Sequence, residues 1–100
     1  MAAIAIHPGE HLAEELQELG ITAAGLARKL NVPTNRITGI LNGQRAITGD
    51  TALRLGHFFG MNPQFWLNLQ SIYELRIAQK KVGKAIGALP TLKHRERIPA

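Results

Sequence analysis

Thr34, Asn35, Thr38 and Gly39 are the residues of this sequence whose types and spacing point most clearly to a chemistry. On one short helix they face the same way, because residues three and four apart are neighbours on a helix surface. Their chemistry is recognition rather than bond breaking. An asparagine amide can pair bidentately with adenine, and a threonine methyl can meet the methyl of thymine, in the major groove of DNA. Arg36 sits at the edge of this face, Gln44 and Arg45 follow just past it, and Arg28 and Lys29 lie upstream on the preceding helix.

Other constellations carry less. His7 and His11 place two imidazoles four residues apart with Glu10 between them, but no third strong ligand lies near, and His7 more simply precedes a helix-starting proline. No metal or other cofactor is expected. No catalytic residue is expected either: Ser71 is the only serine, cysteine is absent, and no lysine has a visible activating partner. A domain this small also rarely encloses a substrate pocket.

The elements that must position the reading face are five helices. Helix 1 begins at Pro8, which suits a first helical position, and ends at Gly20, with Leu12, Leu16 and Leu19 as its buried stripe. Thr22 caps helix 2, whose apolar side is Ala23, Leu26, Ala27 and Leu30. Asn31 tolerates a left-handed backbone, and Val32-Pro33 restart the chain in a new direction. Helix 3 runs from about Thr34 to Leu41 and buries Ile37, Ile40 and Leu41. Two short helices joined this tightly form a helix-turn-helix, with small Ala27 allowing a close crossing. Thr48 caps helix 4, with Ile47 and Ala52 placed as a hydrophobic staple. His57 lies among apolar neighbours there and is read as structural. Asn62-Pro63 start helix 5, which should reach about Lys81.

Helix 5 is apolar on more sides than one docking face requires. Trp66, Leu69, Tyr73 and Ile77 form one stripe, while Phe65, Ile72 and Leu75 lie to its other side and Leu67 beyond. The excess predicts a homodimer, with Trp66, Leu67, Leu69, Ile72 and Tyr73 as candidate interface residues. The chain divides into residues 1–82, for DNA binding and dimerisation, and a basic, loosely ordered tail over 83–100.

Charge supports an anionic partner. The net charge is +5, and all 12 Lys and Arg residues fall after residue 19, whereas helix 1 carries Glu10, Glu14, Glu15 and Glu18. With no signal peptide, membrane-length apolar run or cysteine in this sequence, a cytoplasmic location is expected.

The pattern Leu26-Ala27, Asn31-Val32, Ile37 and Ile40-Leu41-Asn42-Gly43 resembles the lambda-repressor-like (XRE) helix-turn-helix domain. More narrowly, His7-Pro8-Gly9-Glu10, Ala52-Leu53-Arg54-Leu55 and Phe65-Trp66-Leu67-Asn68-Leu69-Gln70 are similar to the HigA/VapI antitoxins. The resemblance covers about residues 7–80, and the run in helix 5 is its most specific part. It implies an all-α, five-helix domain and a dimeric antitoxin that silences a HigB-type ribonuclease toxin and represses their shared operon. Carried over residue by residue, it places Thr34, Asn35, Thr38 and Gly39 toward the groove and Arg45 toward the backbone. Two positions depart from the pattern: Ala23 stands where many phage-type repressors carry a phosphate-binding glutamine, and Asn31 where the turn is usually glycine. The acidic face of helix 1 is the expected toxin contact. The competing reading is a stand-alone helix-turn-helix regulator with no toxin partner.

Overall fold

The computed structural model describes residues 4–92. Among them are five helices and no strand: α1 (Pro8–Leu19), α2 (Ala23–Leu30), α3 (Thr34–Leu41), α4 (Gly49–Phe59) and α5 (Gln64–Gly87). Most boundaries are set by local chemistry. The Thr22 hydroxyl accepts from the Gly25 N–H at 3.0 Å and starts α2. The Asn62 side chain accepts from the Gln64 N–H at 2.9 Å and does the same for α5. Asn31 adopts φ 57°, ψ 50°, which closes α2 with paired bonds from the Val32 N–H to the Ala27 carbonyl and from the Asn31 N–H to the Arg28 carbonyl.

The core joins all five helices. Leu12 of α1, Leu26 of α2, Ile37 and Ile40 of α3, Leu55 of α4 and Trp66 of α5 are completely enclosed. Ile47 and Ala52 are buried at the start of α4, where the staple was expected. Gly9 shows how tightly the layers meet. A Cβ on it would run into the Ile40 carbonyl group, so the first turn of α1 can seat on the end of α3 only without a side chain there. His7 fixes that turn by accepting from the Gly9 N–H at 2.9 Å through Nδ1, while its ring meets Tyr73 edge-on at 4.9 Å.

Several positions differ from the sequence-based expectation. Trp66, expected at a subunit interface, is fully enclosed in its own chain and offers no side chain to a partner. Leu19 is 54% exposed in the last turn of α1, and His57 is exposed on α4. The end of α5 moves from Lys81 to Gly87. Gly83 costs the helix only about 1 kcal/mol relative to alanine, too little to stop it when helix-compatible residues follow. Residues 83–87 of the expected loose tail are therefore helical, and residues 93–100 of it lie outside the described residues. No helix of the described residues is long and apolar enough to cross a membrane.

Candidate nucleic-acid interface

The reading face begins with the α2–α3 crossing. Ala27 is buried, and with only a methyl group it lets α3 cross close beside α2. Ile37 and Ile40 turn one side of α3 wholly inward. The opposite side then has to face outward: Thr34 and Asn35 are exposed, and Arg36, Thr38 and Gly39 half-exposed. The Thr38 hydroxyl donates to the Thr34 carbonyl at 3.4 Å, whereas no side-chain hydrogen bond engages Asn35 among the described residues. Its amide is the unencumbered donor and acceptor on this helix.

Gly39 has a different part from the one its spacing suggested. Its carbonyl accepts from the N–H groups of Gln44 (2.8 Å) and Arg45 (3.0 Å), which folds the loop after α3 back onto the helix. The aliphatic stem of Arg45 lies directly over it, so that a Cβ on Gly39 would stand 2.8 Å from Arg45 Cδ. Gly39 is thus the seat of Arg45, and no carboxylate pairs with Arg45 among the described residues. Gln44 is exposed beside it.

Arg36 is held differently. Its Nη1 lies 2.6 Å from Oδ2 of Asp50 at the start of α4, and Arg54 Nε reaches the same oxygen at 2.9 Å. Arg54 Nη1 also donates to the Leu30 carbonyl at 2.7 Å, tying α4 to the end of α2. The guanidinium groups of Arg54 and then Arg36 hold the Asp50 carboxyl below its ordinary value of 3.8. An open cleft of about 340 Å³, lined by Arg36, Arg45, Thr48 and Asp50, separates the two arginines. Sequence spacing misses the ties from Asp50 to Arg36 and from Arg54 to the Leu30 carbonyl, because these partners lie 14 and 24 residues away, although Asp50 and Arg54 themselves form an i,i+4 pair on α4. A second long-range tie holds the same loop: the Ile47 N–H donates to Oε1 of buried Gln70 on α5 at 2.8 Å.

The other expected sites lie apart from this face. Glu10, Glu14 and Glu18 are exposed along α1, while Glu15 is half-buried and lies 3.6 Å from His11 Nε2. His11 packs against Phe65 and Trp66, so both imidazoles of the His7–His11 pair are engaged in structure. On α5, Leu67, Leu69 and Tyr73 are half-buried and Ile72 is 45% exposed. Beyond them Leu75, Val82 and Ile86 are also exposed, as is Leu89 two residues past the end of the helix. With Ile72 and Gln79 they recur at alternating spacings of three and four residues. That pattern becomes legible only once the helix is known to pass Gly83.

The HTH_3 helix-turn-helix family model matches residues 12–66, from the first core leucine of α1 to the core tryptophan of α5. Virulence-associated protein I of Dichelobacter nodosus is 51% identical over 77 residues, 76% of this chain and 71% of its own. An addiction module antidote protein of the HigA family from Coxiella burnetii is 56% identical, with TM-score 0.88 over 90% of this chain and 99% of that one. The antitoxin HigA of Pseudomonas aeruginosa, solved with the higBA promoter, is 44% identical, with TM-score 0.85 over 89% and 99%. Likeness at this level extends from fold to sequence, and the chain belongs to the XRE-type helix-turn-helix family, among the HigA-type antitoxins.

Proposed function

We propose that this protein is an antitoxin that reads operator DNA through α3, neutralises a HigB-type ribonuclease toxin and represses the operon encoding both. The observation that carries the DNA-reading part is the exposed amide of Asn35 one helical turn before Gly39, over which lies Arg45, paired with no carboxylate among the described residues. The Pseudomonas aeruginosa relative solved with its promoter supports it. Thr34, Asn35 and Thr38 supply the base contacts, and Gln44 and Arg45 the backbone contacts. The protein meets its operator in the cytoplasm.

The active form is a homodimer. Ile72, Leu75, Val82 and Ile86 make an apolar seam along α5, with Gln79 as its polar member, and a second α5 can cover it by knobs-into-holes packing. Of the candidate interface residues, Ile72 joins this seam, while Leu67, Leu69 and Tyr73 are half-buried elsewhere on the helix. A twofold dimer sets two α3 helices about 34–36 Å apart, one turn of DNA, so the operator is a palindrome.

Glu10, Glu14, Glu15 and Glu18 are the proposed toxin contact, because a ribonuclease that grips messenger RNA presents basic surface for carboxylates to meet. Co-expression with the product of the adjacent reading frame tests this half of the proposal. Recovery of a stable complex that relieves toxicity supports the antitoxin reading. A neighbouring product that neither binds nor poisons cells favours the stand-alone regulator.

A further inference from the structure

We propose that Asp50 is a specificity-determining residue, which restrains Arg36 at the edge of the reading helix and so suppresses binding to DNA of arbitrary sequence. The inference rests on the reading of α3 as the DNA-recognition helix. Arg36 and Arg45 line the same open cleft, one on the helix and one just past it. Their electrostatic situations are opposite. Arg45 has no carboxylate against it among the described residues, whereas Arg36 is bound to Asp50 at 2.6 Å.

A guanidinium that is free to reach a phosphate adds affinity for every sequence, because phosphates carry no base information. A guanidinium already satisfied by a carboxylate adds little and must break that bond before it can contribute. Asp50 therefore takes one sequence-blind contact away from each half-site and places a negative charge beside the backbone. Arg36 keeps a geometric part, since its bond to Asp50 joins α3 to the first turn of α4. Arg54 is anchored separately on the Leu30 carbonyl, so removing the Asp50 charge leaves the α2–α4 tie in place.

The test compares the full-length wild type with Asp50→Asn, Arg36→Gln and the double variant on operator and random-sequence duplexes across a salt series. Asp50→Asn is expected to bind random DNA more tightly, and to steepen its salt dependence by about 0.9 in log–log slope per half-site. That slope makes the gain per half-site about 3.5-fold larger at 50 mM than at 200 mM salt. Operator affinity rises less, so the ratio of operator to random binding falls. Arg36→Gln alone leaves random binding nearly unchanged and, combined with Asp50→Asn, removes most of the gain. A purely structural role for Asp50 would lower both affinities together through lost stability and leave the slope alone.

Besides that structural outcome, two results overturn the proposal. One is a gain that persists in the double variant, which assigns the effect to the lost negative charge alone. The other is an Arg36→Gln protein that loses random-DNA affinity as much as Arg45→Ala, which makes Arg36 a phosphate contact already. Arg36→Gln keeps the second arm decisive even where Asp50→Asn fails to fold. Failure of the wild type to prefer its operator at all would instead refute the reading of α3.

Discussion

Replacing Gln70 by methionine removes one acceptor from the core while keeping an unbranched side chain of similar length. Gln70 is 6% exposed and accepts from the Ile47 N–H at 2.8 Å, and Ile47 is 3% exposed. Methionine leaves that buried amide without its acceptor. Such an orphaned donor costs about 1–3 kcal/mol. Methionine's apolar stem recovers a fraction through burial, which sets the expected loss near 2 kcal/mol. For a domain of this size each kcal/mol moves the melting temperature by roughly 4–8 °C, so the variant should melt about 8–16 °C below the wild type. Protein concentration must be matched, because the proposed dimer would contribute to the midpoint. The control is Gln64→Met, since the Gln64 side chain is exposed and donates across the surface to Asn68; it should shift stability by less than about 0.5 kcal/mol. Hydrogen exchange supplies the local readout. The Ile47 amide should lose protection in Gln70→Met by more than the global loss of stability accounts for. A Gln70→Met protein as stable as Gln64→Met, with Ile47 still protected, would refute the assignment of this bond as the pin between α5 and the DNA-facing loop.

Gly9→Ala drives a methyl into the Ile40 carbonyl and should cost about 1–3 kcal/mol by overpacking, read by chemical denaturation at matched concentration. Leu75→Glu and Ile86→Glu place charges on the exposed side of α5, far from the enclosed core, and on the proposed pairing of two α5 helices should shift the protein to a folded monomer by sedimentation. Asp50 is held below its ordinary carboxyl value by Arg54 and Arg36, so its contribution to stability is present above about pH 3.8 and lost as pH falls through the lower folded-state value. The stability difference between wild type and Asp50→Asn should accordingly be constant near neutrality, close in that acid window, and shrink in high salt, as expected of an exposed ion pair.

Much of the fold is legible because its determinants are local. Thr22, Asn31 and Asn62 act on backbone groups one to five residues away, and their side-chain chemistry alone dictates what they do. The outward face of α3 is legible for the same reason: once Ile37 and Ile40 point inward, helical periodicity leaves Asn35 nowhere else to go. Periodicity is silent where two apolar stripes share one helix. It finds both stripes of α5 but does not say which meets the core, and it puts Trp66 at an interface although that side chain fills the centre of its own domain. The remaining surprises are contacts between distant residues. Gly9 against Ile40, Arg36 against Asp50 and Ile47 against Gln70 pair positions that no local pattern links. Gly39 looked like an open groove position, and only the folded loop reveals the Arg45 stem lying over it.

If α3 reads sequence while Arg45 grips the backbone, alanine at Asn35 and alanine at Arg45 must fail in different ways. Asn35→Ala and Arg45→Ala are titrated against the protein's own upstream DNA and against a random duplex at several salt concentrations. Asn35→Ala should lose about 1–3 kcal/mol per half-site on the operator alone and relax the preference at one base pair, with an unchanged salt slope. Arg45→Ala should weaken both duplexes by similar factors and flatten the slope by about one per half-site. If both variants lose affinity equally on operator and random DNA, base reading does not reside in α3.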